Sequence, residues 1–210
     1  MKFKTILWDF DGVILDSMQV RDFGFREIFK DFKPLDVDKL IDYHRYNGGL
    51  SRYVKIRYFF EEIIGRATTE QEILEYASRF SDIMLNALVD QKNLIKDSVS
   101  FIKGNYNNYK FHIVSGSDQE ELRFLCKALN LDKYFLSIEG SPTAKSKLVK
   151  DIIIKHNYAM ESTCLIGDSI NDFEAADNNE ISFFGYNNET LKELSPNYIS
   201  TFRKDAIKLN

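Results

Sequence analysis

The stretch "ILWDFDGVILDSM", Ile6–Met18, decides how the rest of the chain is read. Ile6, Leu7 and Trp8 form a short apolar run of the kind that makes a buried strand. Asp9 and Asp11 follow at once. Two carboxylates two positions apart repel each other, and each is costly to take out of water. A chain that only had to fold would rarely end a buried strand this way. A divalent cation bound there would relieve both costs.

Working outward, more apolar runs of strand length follow. Phe3–Trp8, Phe111–Val114, Phe135–Ile138, Thr163–Ile166 and Ile181–Phe184 read as strands, separated by helical patterns. Alternation of this kind predicts an α/β fold with a parallel, Rossmann-like sheet. Leu122, Leu125, Cys126 and Leu129 mark one intervening helix, with Ser117 and Glu120 at capping-box spacing before it. Residues 17 to about 90 break the alternation. Four amphipathic stripes follow one another there: Phe25/Ile28/Phe29/Phe32, Val37/Leu40/Ile41/His44, Tyr53/Ile56/Phe60/Ile63/Ile64 and Ile73/Ala77/Phe80/Met84/Leu88. Successive helices with no strand between them make a small bundle. The expected organisation is an α/β core of residues 1–15 and 93–210, with an all-helical domain of residues 16–92 inserted after the first strand. Its hinges fall near Asp16 and near Gln91–Leu94.

Composition narrows the function. The 210 residues are 44% hydrophobic and 14% aromatic, enough for a substantial core. The net charge of −4 argues against nucleic acid or a membrane surface as partner. Cys126 and Cys164 have neither disulfide-framework nor metal-ligand spacing. The basic-then-apolar start resembles a signal peptide, but Asp9 and Asp11 cut the apolar run too short. No apolar run approaches the roughly 20 residues of a membrane span, so the expected location is the cytoplasm.

In an open α/β sheet, ligands bind beyond the carboxyl ends of the strands. Polar residues gather there in this chain. "HIVSGSD" puts Ser115 after the second strand, "SPTAKSK" puts Lys145 and Lys147 after the third, and "CLIGDSIND" puts Asp168 and Asp172 after the fourth. Carboxylates, a hydroxyl and an ammonium at one edge suit a phosphate ester bound with Mg²⁺, a hard cation that takes one or two carboxylates plus substrate phosphate.

At these residues the sequence resembles the haloacid dehalogenase superfamily. The matches are "DFDGV" (Asp9–Val13), "VSGS" (Val114–Ser117), "SPTAK" (Ser141–Lys145) and "GDSIND" (Gly167–Asp172), in the family's order and spanning most of the chain. The helical insert is similar to the cap of the subgroup that includes phosphoglycolate phosphatase and β-phosphoglucomutase. The resemblance implies a Mg²⁺-dependent phosphatase acting on a small phosphate ester. Asp9 would be the nucleophile and would form an aspartyl-phosphate. Asp11 would be the general acid/base, its pKa raised by its like-charged neighbour. Ser115 and Lys145 would hold the transferring phosphoryl group, and Gly116 would touch substrate. Asp168 would ligate the metal with Asp9 and the Asp11 carbonyl, while Asp172 would support the metal or hold Lys145. Lys145 is preferred to Lys147, which reads as a solvated helix residue. A phosphomutase of the β-phosphoglucomutase kind shares every motif and is the alternative. Dehalogenation is set aside because Asp11 is present.

The cap contributes "HRYNGGLSRY", His44–Tyr53. Gly48-Gly49 breaks the helix there, as an ordinary turn or as a specificity loop that brings Arg52 to an anionic or hydroxylated leaving group. Lys55 is the cap lysine nearest that loop. Schiff-base chemistry, used by the phosphonatase branch, would need an apolar pocket to lower its pKa. The charged residues around it in sequence predict none.

Overall fold

The computed structural model describes residues 2–205 and 209. Six parallel strands form one sheet: β1 (Thr5–Trp8), β2 (Lys110–Asp118), β3 (Ser137–Ser141), β4 (Thr163–Gly167), β5 (Ser182–Tyr186) and β6 (Tyr198–Ile199). Their order is β3-β2-β1-β4-β5-β6. It reverses direction at β1 and β4, the point where doubly wound sheets open their ligand crevice. β1 and β4 are buried along their whole length, as central parallel strands must be.

The two faces of the sheet carry separate apolar layers. Ile6, Trp8, Phe111, Ile113 and Ile166 pack with Val99 and Ile102 of α5 (Lys96–Asn105) and Leu122 and Leu125 of α6 (Gln119–Ala128). Leu7, Val114 and Leu165 face α7 (Lys145–His156) and α8 (Ile170–Asp177) through Leu148, Val149, Ile152, Ala175 and Ala176.

Between β1 and β2 lies the helical insert. It comprises α1 (Met18–Ile28), α2 (Pro34–Tyr46), α3 (Arg52–Tyr58), a π-helical turn (Phe59–Ile64) and α4 (Glu70–Ala87). Thr69 caps α4, its hydroxyl accepting from Glu72 N–H at 3.2 Å. The interior of the insert is aromatic. Phe29 lies 4.0 Å from Phe59 and 4.9 Å from Tyr76, and Phe25 lies 4.5 Å from Phe80, measured between ring centres. The chain leaves and re-enters the sheet domain through two paired segments. Leu15 bridges Leu94, Ile95 N–H donates to the Ile14 carbonyl at 2.9 Å, and Asp16 N–H to the Asn93 carbonyl at 2.8 Å.

Several sequence expectations shift. β3 begins two residues later than its apolar run because it is an edge strand whose pairing, not burial, sets its ends. β6 is too short for any periodic signal. The capping box expected at Ser117 and Glu120 does not form. Asp118 caps α6 instead, accepting from Glu120 N–H and Glu121 N–H at 3.1 Å. β2 runs on through Ser117, and its side chain is free for other work.

Candidate active site

Asp9 sits just past β1 and donates its N–H to the Ile166 carbonyl at 2.9 Å, tying the ends of β1 and β4 together. Gly12 turns the loop with φ of +74°, and a Cβ there would fall 1.8 Å from Asp168 Oδ2. Only glycine fits, because both the left-handed backbone and the Asp168 carboxylate demand it. Amide side chains steady both loops: Asn187 donates to the Gly12 carbonyl at 3.0 Å and Asn188 to the Asp168 carbonyl at 2.8 Å.

Asp9, Asp168 and Asp172 bring carboxylate oxygens within 4.8 Å of one another. One ammonium serves them. Lys145 Nζ, at the start of α7, lies 2.9 Å from Asp9 Oδ1 and also pairs with Asp172. Lys147 points outward to Asp151 at 2.6 Å. Burial, followed by the Asp172 charge, pushes the Asp9 carboxyl up to about 7. Burial and the Asp9 charge raise Asp168 well above the ordinary carboxylate value. Burial disfavours the charged form of Lys145, but Asp172 and Asp9 outweigh it and hold the ammonium protonated. Asp172 is fully committed: it pairs with Lys145, and its Oδ2 accepts from Ser169 N at 3.0 Å and Ser169 Oγ at 2.6 Å in a capping box. That leaves Asp9 and Asp168 as oxygen donors short of a counter-charge, the donor set a hard divalent cation fits.

Asp11 has a different environment. Arg21 of α1 donates from Nε to Asp11 Oδ1 at 2.8 Å, and Ser17 and Ser117 donate to the same carboxylate at 2.5 Å. Burial pushes Asp11 up, but Arg21, Ser117 and Ser17 together hold it below the ordinary carboxylate value. The sequence expectation of a raised Asp11 is therefore reversed. The carboxyl raised by burial and like charge is Asp9, because Arg21 stands between Asp11 and that fate.

Ser115 is buried on β2 and its Oγ accepts from Ser117 N at 3.1 Å. Gly116 lies under the glycine turn, and a Cβ on it would fall 2.3 Å from the Gly49 carbonyl oxygen. The turn thus touches the core main chain directly. On one side of it is a cavity of about 630 Å³ bordered by Asp11, Asp168, Arg45, Gly48 and Asn188, and on the other one of about 210 Å³ bordered by Gly49, Ser141, Lys145 and Asn171.

Arg52 is 4% exposed. Its Nη1 donates to Ser81 Oγ at 2.6 Å, its guanidinium lies over Phe80, and Nη2 comes within 2.7 Å of Glu121 Oε2 on α6. Glu121 Oε1 also accepts from Arg21 at 3.3 Å. Lys55 is likewise buried, donating to His44 Nδ1 at 2.9 Å and the Gly48 carbonyl at 3.2 Å. Burial and then the Arg21 charge lower its amine to about 7. The space beside it is mixed in character: Phe25, Leu50 and Phe80 border it together with Arg21 and Arg52, whose charges add to the effect of burial.

Arg21, Glu121, Ser17 and Ser117 were not legible as site residues. One signal existed. Arg21 lies four positions before Phe25, Glu121 four before Leu125 and Lys55 four before Phe59, so each places a charge on the buried face of its helix.

A family model described as haloacid dehalogenase-like hydrolase matches residues 6–186. The chain belongs to the haloacid dehalogenase-like hydrolase family. Comparison with curated protein sequences gives no match. Solved structures with the same fold include a protein from Clostridium acetobutylicum described as a predicted phosphatase, with TM-score 0.79 and 14% identity, covering 100% of this chain and 99% of that one. A β-phosphoglucomutase from Clostridium difficile has TM-score 0.77 and 14% identity, covering 96% and 92%. A haloacid dehalogenase-family hydrolase from Bacillus subtilis, bound to magnesium, has TM-score 0.74 and 15% identity, covering 100% of both chains. Among the described residues, no helix of this family member is long and apolar enough to cross a membrane.

Proposed function

We propose that this chain hydrolyses phosphate monoesters of small metabolites with Mg²⁺, through an aspartyl-phosphate on Asp9. The observation that carries the reading is the gathering of Asp9, Asp168 and Asp172 around the single ammonium of Lys145 at the crevice of the sheet. Mg²⁺, as in the magnesium-bound relative, would be held by the Asp9 and Asp168 carboxylates and the Asp11 main-chain carbonyl. Bound there, it neutralises charge on the carboxylates and on the phosphoryl oxygens.

Asp9 attacks phosphorus while Lys145 and the Ser115 hydroxyl hold the phosphoryl oxygens. Asp11 gives a proton to the leaving oxygen, then takes one from the water that cleaves the acyl phosphate. Asp11 takes up that proton as an arriving anionic substrate draws Arg21 away from it, while Ser17 and Ser117 keep the carboxyl aimed at the leaving oxygen. Phosphate release from an aryl phosphate and a panel of metabolite phosphates, with Mg²⁺ and with chelator, tests the reading. A phosphate-sized mass gain on the peptide carrying Asp9 is the expected companion, and metal-independent release with no adduct overturns it.

Buried Lys55, with its amine lowered to about 7, favours a second reading in which the substrate is a carbonyl-bearing phosphonate. The neutral amine condenses with the carbonyl, and the iminium accepts the C–P bonding electrons as the phosphoryl group passes to Asp9. Borohydride reduction in the presence of such a phosphonate would then fix the substrate carbon on Lys55, and no trapping removes this reading.

A further inference from the structure

Strand ends hold the phosphoryl group, but the alcohol it leaves behind has to fit the space beyond them. That space is the cavity of about 630 Å³ beside the glycine turn. Its size lies among the pockets of roughly 300–1,000 Å³ that enclose most of a drug-sized molecule. A two-carbon leaving group would surrender most of it to water. Around it, Met18, Tyr46, Ile170, Leu191 and Leu194 supply apolar surface.

The charges on its wall are lopsided. Four carboxylates border it, Asp11, Asp16, Asp168 and Glu193, against two guanidiniums, Arg21 and Arg45. Both guanidiniums are engaged. Arg21 lies 2.8 Å from Asp11 and 3.3 Å from Glu121, and in the reading above the phosphoryl group draws on it. Arg45 donates from Nε and Nη2 to Asp22 Oδ2 at 3.0 and 2.7 Å. His44, which also borders the cavity, is kept neutral by its burial. Arg52 and Lys55 do not reach it: both line a smaller space of about 20 Å³, room for a water molecule. Asp11 and Asp168 belong to the chemistry. Asp16, at the crossing into the insert, and Glu193, between β5 and β6, are exposed, and neither pairs with a cation among the described residues. A carboxylate or second phosphate on the leaving group would meet like charge here and find its counter-charges taken. We propose that the leaving group is an alcohol without negative charge, larger than a two-carbon unit and with an apolar face, and that Asp16 and Glu193 reject its anionic analogues. The proposal rests on the phosphatase reading above. It excludes phosphoglycolate and sugar bisphosphates as preferred substrates.

The test is a set of four esters with Mg²⁺: benzyl phosphate, 4-carboxybenzyl phosphate, 2-hydroxyethyl phosphate and phosphoglycolate. The two benzyl alcohols are nearly equal as leaving groups, so a difference between them reports recognition. Benzyl phosphate is expected to exceed 4-carboxybenzyl phosphate about tenfold or more in kcat/KM, because like charges face each other only in the second. It should exceed 2-hydroxyethyl phosphate about tenfold, mainly through a lower KM, because its ring leaves water for the apolar wall. Phosphoglycolate should be poorest. The penalty on the carboxylate should shrink in high salt, and Glu193→Lys, a change at an exposed position, should bring the two benzyl esters within about threefold of each other. Equal kcat/KM for the two benzyl esters, a preference for either acid, or a ratio that Glu193→Lys leaves untouched overturns the proposal. So does a KM for 2-hydroxyethyl phosphate no higher than that for benzyl phosphate. If Mg²⁺ drives release from none of the four, the phosphatase reading fails, and titration calorimetry of the same esters against the protein with Mg²⁺ decides whether the cavity sorts ligands by charge. Tighter binding of benzyl than of 4-carboxybenzyl phosphate bears that out; equal affinities, or no binding, overturn it.

Discussion

Two clusters of charge meet at the crevice, and they are built on opposite rules. On the sheet side, Asp9, Asp168 and Asp172 share the ammonium of Lys145, and burial and neighbouring carboxylates push Asp9 and Asp168 upward despite it. On the insert side, Arg21 is matched by Asp11 and Arg52 by Glu121, and the carboxyl of Asp11 is pushed downward. The first cluster lacks positive charge and so calls for a cation. The second is balanced within itself, so it has little need of a ligand's charge and responds instead to where its members stand. Buried charge left uncompensated tends toward binding chemistry, whereas compensated buried charge fixes geometry.

The largest break in this comparison comes from the sheet side. Asp9→Asn removes the attacking oxyanion, and turnover with Mg²⁺ is expected to fall at least about 10⁴-fold in phosphate-release assays. Residual turnover near wild type removes Asp9 from the mechanism. Asp11→Asn is the next largest, with turnover lower by roughly 10²–10⁴-fold. Its phosphorylated enzyme should pile up with an activated donor, visible by mass.

Metal and pH sharpen the comparison next. The Asp9 carboxyl rises from its ordinary 3.8 to about 7 in the folded, metal-free protein, so the folded state keeps a proton the unfolded chain has lost. That contribution is complete below about pH 4 and disappears as pH climbs through about 7. Asp168 shifts the same way, whereas lowered Asp11 gives stability that is lost only at acid pH. Chelated protein should therefore melt lower at pH 8 than at pH 5. Metal ligands must be deprotonated, so Mg²⁺ at a hundredfold over its dissociation constant should raise Tm by about 5–10 °C at pH 8 and by less at pH 5. Equal shifts at both pH values would remove the charge deficit as the reason for binding.

The smallest change tests the balanced side. Ser117→Ala removes the hydroxyl that donates to Asp11 and accepts from Arg21. Losing hydrogen bonds to charged groups is expected to lower kcat roughly tenfold, with Ser117→Thr recovering part of it. No change in kcat would show that Arg21 alone fixes Asp11.

What was readable in the sequence follows the same division. Asp9, Asp168, Ser115 and Lys145 stand at strand ends, where two local facts, an apolar run and a polar residue after it, point to one edge of the sheet. Arg21, Glu121 and Lys55 stand inside amphipathic helices, where a spacing of four from a phenylalanine or leucine puts them on the apolar face but says nothing of what packs against it. Their burial comes from the insert packing on the sheet domain, a contact between residues about a hundred positions apart. Ser117 was hidden for another reason: a serine before a helix is usually its cap, and only the extension of β2 hands that task to Asp118.

The paired crossing at Leu15 and Leu94 has a consequence for how such a chain can change over time. The insert leaves and returns through one doorway, so everything from Ser17 to Asn93 is, to the sheet, a single long loop with its ends already fastened together. The entropy of closing a loop grows only logarithmically, about 0.6 kcal/mol for each doubling of length. Helices could be lengthened, added or exchanged outside that doorway while the sheet loses almost nothing. The lineage is thereby free to retailor what covers the crevice without refounding the chemistry beneath it.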